Sequence, residues 1–298
     1  MTITTTAAQV EAILAAPPSE PRPVVTGAQK AALDKFKAHF KGFKLEGSEL
    51  TEREKMWLSE ETLLRYLVVT HGDPDAAITR LEATLSWRRK LNLYDIDATA
   101  AIAERETANA TRYIAGWNGL RPVNYVWMAR NLLPLDDREM VQNVFLLERM
   151  MDLTPAGAQQ VCTVFNFGGK QQGPKPSLGQ TKDMLQVYDV HYPRQPSLTM
   201  LQDMGWAMRA FVNMVWPFIG EAKERTITKT GEQAVADGQF QASGLTKECG
   251  GSLDFTYDHK TYWPTLLSVT KARRDAYLTN WRKLAPEVGH SEYDWKFV

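Results

Sequence analysis

Between residues 122 and 201 the chain alternates between strand-like and helical segments, and this alternation limits the fold more than any other feature of the sequence. Strands are indicated at 122–128 and 161–167, where β-branched and aromatic residues dominate, and 198–201 indicates a third. Helices are indicated between them at 138–151 and 177–190. Strands that alternate with helices are typical of α/β proteins. The sequence therefore predicts an α/β fold.

Helical patterns are also present on both sides of this region. Ser59 is followed by two glutamates and then by an apolar stripe, which is typical of an N-cap and the first turn of a helix. Gly72-Asp73-Pro74 predicts the end of that helix and the start of the next. Further helices are predicted at 29–44, 205–218 and 264–284.

The pattern also predicts how the chain is divided. Residues 1–27 contain four prolines and little periodic hydrophobicity, so we expect a flexible leader. Residues 28–95 then form a helical subdomain, and residues 96–263 form the α/β domain. Residues 264–298 are expected to form a closing helix and a tail.

Charge and composition exclude several function classes. The chain has 35 Lys and Arg residues and 35 Asp and Glu residues, so it lacks the basic excess typical of nucleic-acid binding. Two cysteines, Cys162 and Cys249, are too few for a disulfide scaffold or a zinc site built on thiolates, and the five histidines show no ligand spacing. We therefore expect no nucleic-acid partner, no metal and no other cofactor. Cys249 is interpreted as a buried small residue, with a reactive thiol as the alternative.

The sequence contains no predicted membrane span. A transmembrane helix needs about 20 apolar residues, and the apolar stretch at 211–219 is far shorter and is interrupted by Asn213 and Pro217. No secretory signal is recognised either, since the first basic residue is Arg22 and the leader is rich in Thr. We expect a cytoplasmic protein.

A series of short segments, in this order, resembles the CRAL-TRIO family of lipid-binding proteins, in its phosphatidylinositol transfer branch. The segments are Leu63–Leu67 with Asp73, Leu85–Arg89, Arg121–Val123, Val164–Gly169, Tyr192–Pro193, Trp216–Ile219 and Leu245–Gly251 with Tyr262–Trp263. The resemblance covers roughly residues 50–265. Each segment alone is a weak signal, but their common order and spacing are specific.

The resemblance implies a helical bundle followed by a mixed β-sheet with helices on its outer side. The sheet would form the floor of one large apolar pocket, and a helix near Trp216-Pro217 would act as a gate that opens at a membrane. Members of the family carry one lipid or other hydrophobic molecule and exchange it. A monomer in transient contact with membranes is the family expectation.

Strand periodicity and the resemblance together predict the residues of the pocket. Alternate residues of a strand share a face, so Val161, Thr163 and Phe165 are expected to point the same way. The predicted pocket residues are Tyr125, Trp127, Val161, Thr163, Phe165, Phe167 and Tyr188, with Trp206, Phe211, Met214, Val215, Phe218 and Ile219 on the gate. His71, His191, Arg194 and Thr226 are candidates for contacts with a polar head group, and no catalytic residue is predicted.

The resemblance also bears on the ligand. Members that bind phosphatidylinositol hold its head group with charged residues, and the matching positions here are Thr70, His71, Gly119, Arg194 and Thr226. None follows the family pattern: Thr70, Gly119 and Thr226 carry no charge, and Arg194 stands where the family has an acid. An anionic phosphate needs cations or clustered donors. We therefore predict poor binding of phosphatidylinositol.

Two further positions separate the other known ligands of the family. Val161 and Thr163 stand where the resemblance implies a hydroxyl pair for phosphatidylcholine, so half of that pair is present. They also stand where a haem-binding branch has His and Tyr, and neither Val nor Thr is a good iron ligand. Phe165 and Phe167 would narrow the pocket, which favours a sterol, terpenoid, polyketide or other small lipid as much as a phospholipid.

Three functions remain open from the sequence. The first is binding and transfer of a hydrophobic ligand between membranes or to a partner. The second is an enzyme of terpenoid or polyketide metabolism, with Tyr125, Thr163, His191 or Arg194 as polar handles on the substrate. The third is a scaffold that senses a ligand without transferring it.

Overall fold

The computed structural model describes residues 5–107, 109–171 and 173–297. Its helices are α1 Ala7–Leu14, α2 Gly27–Phe40, α3 Glu52–Trp57, α4 Glu60–Val69, α5 Pro74–Lys90, α6 Ile96–Thr107, α7 Asp137–Leu153, α8 Leu178–His191, α9 Trp206–Val215, α10 Gly231–Ala236 and α11 His259–Lys283. Its strands are β1 Lys44–Leu45, β2 Ser48–Glu49, β3 Arg112–Asn118, β4 Arg121–Trp127, β5 Val161–Asn166, β6 Pro196–Gln202 and β7 Thr226–Thr228.

Local sequence explains where many helices begin. In the capping boxes of α1, α2, α3, α8 and α10 a Thr or Ser side chain accepts the N–H of the third helical residue, whose Gln or Glu side chain bonds back. Ser59 caps α4 without that return bond because Thr62 stands at the third position. Asp73 caps α5, and Pro74 occupies the first turn, where a missing N–H costs nothing.

The chain divides into two compact units. The sheet unit comprises Met1–Pro17, Asp97–Thr154 and Gln160–Thr270, and the helical unit comprises Pro18–Ile96, Pro155–Gln159 and Lys271–Val298. Each unit therefore combines segments that are far apart in the chain, whereas the sequence analysis expected a linear series of domains.

The helical unit is built around α2, α4 and α5. Their apolar faces meet in a core that includes Phe36, Leu63, Tyr66 and Leu81, each with no exposed surface. The short antiparallel hairpin of β1 and β2 packs beside this core. Among the described residues, no helix of either unit is long and apolar enough to cross a membrane.

The sheet unit is a mixed five-stranded sheet in the order β3-β4-β5-β6-β7. Strands β3 and β4 are antiparallel, and the remaining neighbours are parallel. The predicted strands at 122–128, 161–167 and 198–201 correspond to β4, β5 and β6, whereas β3 and β7 were not predicted. The helical N-terminal region and the mixed sheet confirm the predicted fold class.

The connections place three helices on one face of this sheet. The chain passes from β4 through α7 to β5, through α8 to β6, and through α9 to β7, and each step moves in the same direction across the sheet. Crossovers between parallel strands are right-handed, so successive crossovers in one direction put their helices on the same side. Helices α7, α8 and α9 therefore lie over one common face.

The N-terminal segment differs from the flexible leader that the sequence predicted for residues 1–27. Residues 7–14 form α1, and its Val10 and Leu14 are buried at 0% and 1% exposure. The Nε1–H of Trp117 donates to the carbonyl of Ile13, which ties α1 to β3. The prediction was wrong here because neighbouring prolines obscured a short helix whose apolar residues are only four apart.

Candidate functional site

The two faces of the sheet differ in how tightly they are covered. Because Cα partners in a ladder share a face, the register assigns every strand residue to one side. The first side, which we call the packed face, carries the buried residues Val123, Tyr125, Trp127, Cys162, Val164, Asn166, Met200 and Gln202. The other side, the open face, carries Asn124, Thr163, Phe165 and Thr199, which are only half-buried.

The C-terminal part of the sheet unit covers the packed face. The hydroxyl of Tyr125 donates to the carbonyl of Gly244 and accepts the N–H of Thr246, both at 3.0 Å. Tyr113 stacks on Tyr125 with ring centroids 5.1 Å apart. Gly244 lies so close to the sheet that a Cβ atom on it would be 2.1 Å from the carbonyl oxygen of Trp117. The described residues of this segment therefore pack closely against this face.

A row of polar side chains crosses the open face from strand to strand. Asn124 of β4 is paired with Thr163 of β5, Thr163 with Thr199 of β6, and Thr199 with Thr226 of β7. The hydroxyl of Thr226 donates to the carbonyl of Ala222 at 2.8 Å. The Oδ1 atom of Asn124 is buried and has no hydrogen-bond partner among the described residues. The row is uncharged and lies between apolar rows of the same face.

The open face lies under helices but is not filled by them. Arg112 is paired with Val126 of the open face, and its guanidinium bonds to Glu139 of α7, so this is the face that α7, α8 and α9 cover. Thr163 and Phe165 belong to the central strand, yet both keep accessible surface. Helix α8 has no fully buried residue along its whole length. From these three observations we infer a hollow between the sheet and these helices.

Tyr188 of α8 also lies deep in the structure and yet keeps accessible surface. Burial raises the pKa of its phenol, and the charges of Arg112 and Glu139 also act on that pKa in opposite directions. The side chain nevertheless keeps accessible surface. Both properties fit a phenol that points into an internal hollow, so the structure brings Tyr188 to the same side of the sheet as Thr163 and Phe165.

The aromatic pair of the prediction is also close together. The rings of Phe165 and Phe167 are nearly parallel, at 19° and 6.4 Å between centroids, and both keep accessible surface. Val161, at the start of the same strand, is 2% exposed. At the Phe165 and Phe167 end of β5 the predicted pocket residues are therefore more accessible to solvent than at the Val161 end.

Tyr125 and Trp127 are not brought together with that set. The register pairs Tyr125 with Val164 and Trp127 with Asn166, both on the packed face. The phenol of Tyr125 is occupied by two backbone groups, and the indole N–H of Trp127 donates to the hydroxyl of Tyr113 at 3.1 Å. Both residues share one face of β4, and the sequence did not show which of the two faces of β4 the helices cover.

Helix α9 presents apolar side chains to the outside. Trp206, Met214 and Phe218 are exposed at 85%, 51% and 50%, whereas Val215 is 5% exposed. Phe211 and Ile219 are half-buried. Several of the predicted pocket residues therefore lie on the outer surface. The helix itself ends at Val215, earlier than the predicted residue 218, because Pro217 follows in a 3₁₀ turn.

The polar head-group candidates are spread over both units. Thr226 lies at the β7 end of the polar row, and His191 is the last residue of α8 and half-buried. Arg194 is exposed in the turn that follows, with a left-handed backbone (φ 60°). His71 belongs to the helical unit, in the turn between α4 and α5. The structure thus associates only Thr226 with the row of the open face.

The two cysteines lie on the packed side. Cys162 has no exposed surface, and Asn118 and Ser197 are within hydrogen-bonding distance of its sulfur. Burial raises the pKa of Cys249 to about 11, so its thiol stays protonated at neutral pH. This agrees with its interpretation as a buried small residue. No group of three His, Cys, Asp or Glu side chains that would hold a metal ion is found in the described part of the chain.

Two family models match the sequence in the order that the fold shows. The CRAL/TRIO N-terminal domain matches residues 32–83 of the helical unit, and the CRAL/TRIO domain matches residues 120–251 of the sheet unit. The chain belongs to the CRAL-TRIO family. The second match spans β4 to β7 and includes the open face, the outer helix α9 and the segment that covers the packed face.

Two curated CRAL-TRIO relatives come from yeasts. A CRAL-TRIO domain-containing protein of Schizosaccharomyces pombe is 31% identical over 250 residues, which are 84% of this chain but only 24% of that protein. The phosphatidylinositol transfer protein PDR17 of Saccharomyces cerevisiae is 29% identical over 264 residues, which are 83% of this chain and 73% of PDR17. This chain thus spans about a quarter of the first relative.

The crystal structure of Sfh5 has the same CRAL-TRIO fold. It superposes with a TM-score of 0.56 at 12% sequence identity, and the match covers 84% of this chain and 99% of the Sfh5 chain. At this identity the likeness concerns the fold alone.

Proposed function

We propose that this CRAL-TRIO protein binds one hydrophobic molecule in the hollow over the open face and transfers it between membranes or to a partner. The observation that carries the proposal is the accessible surface of Thr163 and Phe165 on the central strand, under the side of the sheet that three helices cover. Side chains at such a position are normally close-packed. A bound apolar ligand would restore that packing and would gain about 25 cal/mol for each Å² of apolar surface removed from water.

The walls of the hollow favour a small, flat or branched ligand. The nearly parallel rings of Phe165 and Phe167 offer a planar apolar surface. The row from Asn124 to Thr226 offers neutral hydrogen-bonding groups at the floor. A sterol, terpenoid, polyketide or other small lipid fits these properties, and a phospholipid with a neutral or zwitterionic head group is the other class to test.

Phosphatidylinositol is proposed to be a poor cargo, although the name of PDR17 assigns it to that relative. Thr226 and Gly119 bring no charge to the positions where the family resemblance implies charged contacts. Arg194 is exposed and brings a positive charge where the resemblance implies an acid. A vesicle transfer assay that compares phosphatidylinositol with phosphatidylcholine tests this proposal, and efficient transfer of phosphatidylinositol would refute it.

The exposed apolar residues of α9 and the following turn are proposed to touch membranes. Trp206, Met214 and Phe218 form an outward apolar surface close to the hollow, and the Lys182 ammonium lies 3.8 Å from the Phe218 ring centroid. Aromatic rings beside a lysine suit the interface of a bilayer. Transient contact of a cytoplasmic monomer would then let the ligand pass between the hollow and the lipid.

Two of the residues suggested for the enzyme alternative are poorly placed to contact a ligand in the hollow. Of its four suggested polar handles, Tyr125 lies on the packed face with its hydroxyl engaged by Gly244 and Thr246. Arg194 is exposed in a turn. The carrier function needs no reacting group and uses every feature of the open face.

The hollow can be tested with one substitution made at two places. Thr163→Trp fills the hollow at the central strand, whereas Thr256→Trp makes the same change at an exposed position outside the sheet, where only the backbone carbonyl is bonded. Small molecules extracted from each purified protein are identified and quantified by mass spectrometry. We expect a ligand in the unchanged protein and in Thr256→Trp, and at least a tenfold lower amount in Thr163→Trp.

Thermal unfolding of the three proteins serves as the folding control. If Thr163→Trp is folded and still carries its full amount of ligand, the molecule does not occupy the hollow, and the proposed site is wrong. The identity of the extracted molecule separates the phospholipid class from the smaller apolar classes.

A further inference from the structure

We propose that Arg112, Glu139 and Gln142 form a polar site at the β3 edge of the hollow, which binds a neutral oxygen acceptor of the ligand, such as a ketone or ester carbonyl. This inference rests on the proposed carrier function and deepens it, because it assigns a chemical class to the polar end of the ligand.

The first element of this site is an ion pair. The Nη2 atom of Arg112 lies 2.9 Å from the Oε1 atom of Glu139, and the two side chains are 12% and 20% exposed. Arg112 comes from β3 on the open face, and Glu139 comes from the first turn of α7. The pair carries no net charge, so it does not attract an anion as a lone arginine would. The remaining N–H groups of the guanidinium have no acceptor among the described residues.

The second element is an amide one helical turn further along. Gln142 is three residues after Glu139 on α7, so both side chains leave the same face of the helix. Gln142 is 1% exposed, and its Nε2 has no hydrogen-bond partner within the described residues. A buried donor without a partner costs about 1–3 kcal/mol. A ligand oxygen at this place would recover that free energy.

A small cleft joins these groups. Arg112, Val126, Met128, Glu139 and Gln142 are among the residues that line it, so it opens at the carboxyl end of β4. It has room for a group about the size of a water molecule. The cleft is therefore suited to a single functional group, whereas the apolar body of a ligand would lie over the hollow.

Tyr188 of α8 lies over the same face of the sheet but does not line the cleft. Donors at the cleft are the free N–H groups of Arg112 and the amide of Gln142, and acceptors are the carboxylate of Glu139 and the Oε1 atom of Gln142. The side-chain atom of the cleft that is buried and without a partner within the described residues is the Nε2 donor of Gln142. A ligand that brings an acceptor oxygen would pair with this donor, whereas a hydrocarbon would leave it unpaired.

The polar row on the floor does not make this choice. Threonine hydroxyls both donate and accept, so Thr163 and Thr199 would serve ligand donors and acceptors alike. The unpartnered Oδ1 atom of Asn124 in the same row is an acceptor and would take a ligand donor. The buried Nε2 donor of Gln142 at the β3 edge instead favours a ligand acceptor.

The test compares 2-dodecanone, which has one carbonyl acceptor, with dodecane and with dodecanoate, in competition with a fluorescent apolar dye. The unchanged protein is expected to bind 2-dodecanone about tenfold more tightly than dodecane. Gln142→Leu removes the buried donor of the cleft, and it should reduce that preference by about threefold to tenfold without weakening the binding of dodecane. Gln186→Leu is the matched control, because it makes the same change at an exposed position of α8.

Each other result has a defined meaning. An equal loss of affinity for dodecane and for 2-dodecanone in Gln142→Leu would show that Gln142 has only a structural role, and it would overturn the site. Dodecanoate that binds at least tenfold more tightly than 2-dodecanone makes it an anion site and also overturns the proposal. Equal binding of dodecane and 2-dodecanone to the unchanged protein overturns the polar site alone. If no probe binds, the hollow is not a ligand site and the carrier function fails with it.

Discussion

At the scale of residues, one phenol on the packed face holds two backbone groups of the covering segment. The hydroxyl of Tyr125 is buried and serves the carbonyl of Gly244 and the N–H of Thr246. Burial raises the pKa of this phenol well above its ordinary value, so the hydroxyl keeps its proton over the whole physiological range. The Tyr125 hydroxyl therefore holds the segment of Gly244 and Thr246 in place. We expect its removal to lower the stability of the protein rather than the affinity for a ligand.

Removing that hydroxyl gives the first prediction. Tyr125→Phe should destabilise the protein by about 1–3 kcal/mol, because two buried backbone groups lose their partner. Tyr188→Phe is the matched control, since its hydroxyl has no partner among the described residues, and it should change stability by less than about 0.5 kcal/mol. Urea unfolding measures both variants. Equal losses of stability in the two variants would show that the hydrogen bonds of the Tyr125 hydroxyl do not contribute to the stability of the fold.

At the scale of elements, α9 and α1 differ in how much of their apolar surface they bury. Only Val215 of α9 is buried, and Trp206 and Met214 remain on the outside. Helix α1 is the opposite case, since its apolar residues Val10 and Leu14 are both buried. The proposed membrane contact concerns α9, whereas α1 is packed into the fold.

The outer surface of α9 leads to the second prediction. Trp206→Ala should weaken binding to phosphatidylcholine vesicles by about tenfold, because burial of a large aromatic side chain in the interface contributes about 1.4 kcal/mol or more. Val24→Ala is the control, as Val24 is 93% exposed but lies in the helical unit. Vesicle co-sedimentation measures both. Unchanged binding of Trp206→Ala would remove α9 from the membrane contact.

The third prediction concerns α1. Leu14→Ala should destabilise the protein by about 2–4 kcal/mol, because a fully buried leucine leaves a cavity. Glu11→Ala changes an exposed residue of the same helix and should have little effect. Thermal and urea unfolding compare the two. If Leu14→Ala is as stable as the unchanged protein, then α1 is not part of the cooperative fold.

At the scale of the whole molecule, acid stability depends on charges inside the helical unit. Glu54 has no exposed side-chain surface and bonds to Arg89 through both oxygens, at 2.6 and 2.8 Å. Burial acts to raise the pKa of Glu54, but the hydrogen bonds from Arg89 and Thr51 outweigh it and hold that pKa below its usual 4.5. A carboxyl with a lowered folded-state pKa stabilises the fold above its unfolded value, and this stability is lost as the pH falls through the folded pKa.

The fourth prediction follows from the lowered pKa of Glu54. Glu54→Gln should lower the stability at pH 6 by about 3 kcal/mol, because Arg89 loses its buried partner. Its stability should then fall less steeply than that of the unchanged protein below about pH 4.5. Urea unfolding between pH 3 and pH 7 measures both effects. If the stability of Glu54→Gln falls with pH as steeply as that of the unchanged protein, another carboxyl causes the loss of stability in acid.

Local sequence patterns predicted much of the secondary structure of this protein. Strands β4, β5 and β6 and the helices between them have clear periodicity, and the caps at Ser59 and Asp73 mark helix starts. Strand β3 was missed because Gly116 and polar ends interrupt its pattern, and β7 because it has only three residues. Both gain their stability from pairing with strands that are distant in sequence.

The candidate site was predictable only in part, for a related reason. Alternation along β4 and β5 groups the residues that share a face, but it carries no information on which face the helices will cover. Tyr125 was therefore assigned to the pocket and lies on the packed face. Arg112, Glu139 and Gln142 gave no signal at all, because their proximity exists only once β3 and α7 have folded against each other.

The separation of the two faces has a consequence for how this protein can diverge. Gly244 and the tyrosines around it leave no freedom on the packed face, where nearly any change disturbs the fold. Thr163, Phe165 and Thr199 stand on the same strands but are only half-buried, so we expect their replacement to cost less stability. If the open face holds the proposed cargo, mutations that alter the cargo would need few compensating changes elsewhere, and one scaffold could pass through many specificities during evolution while it remains folded.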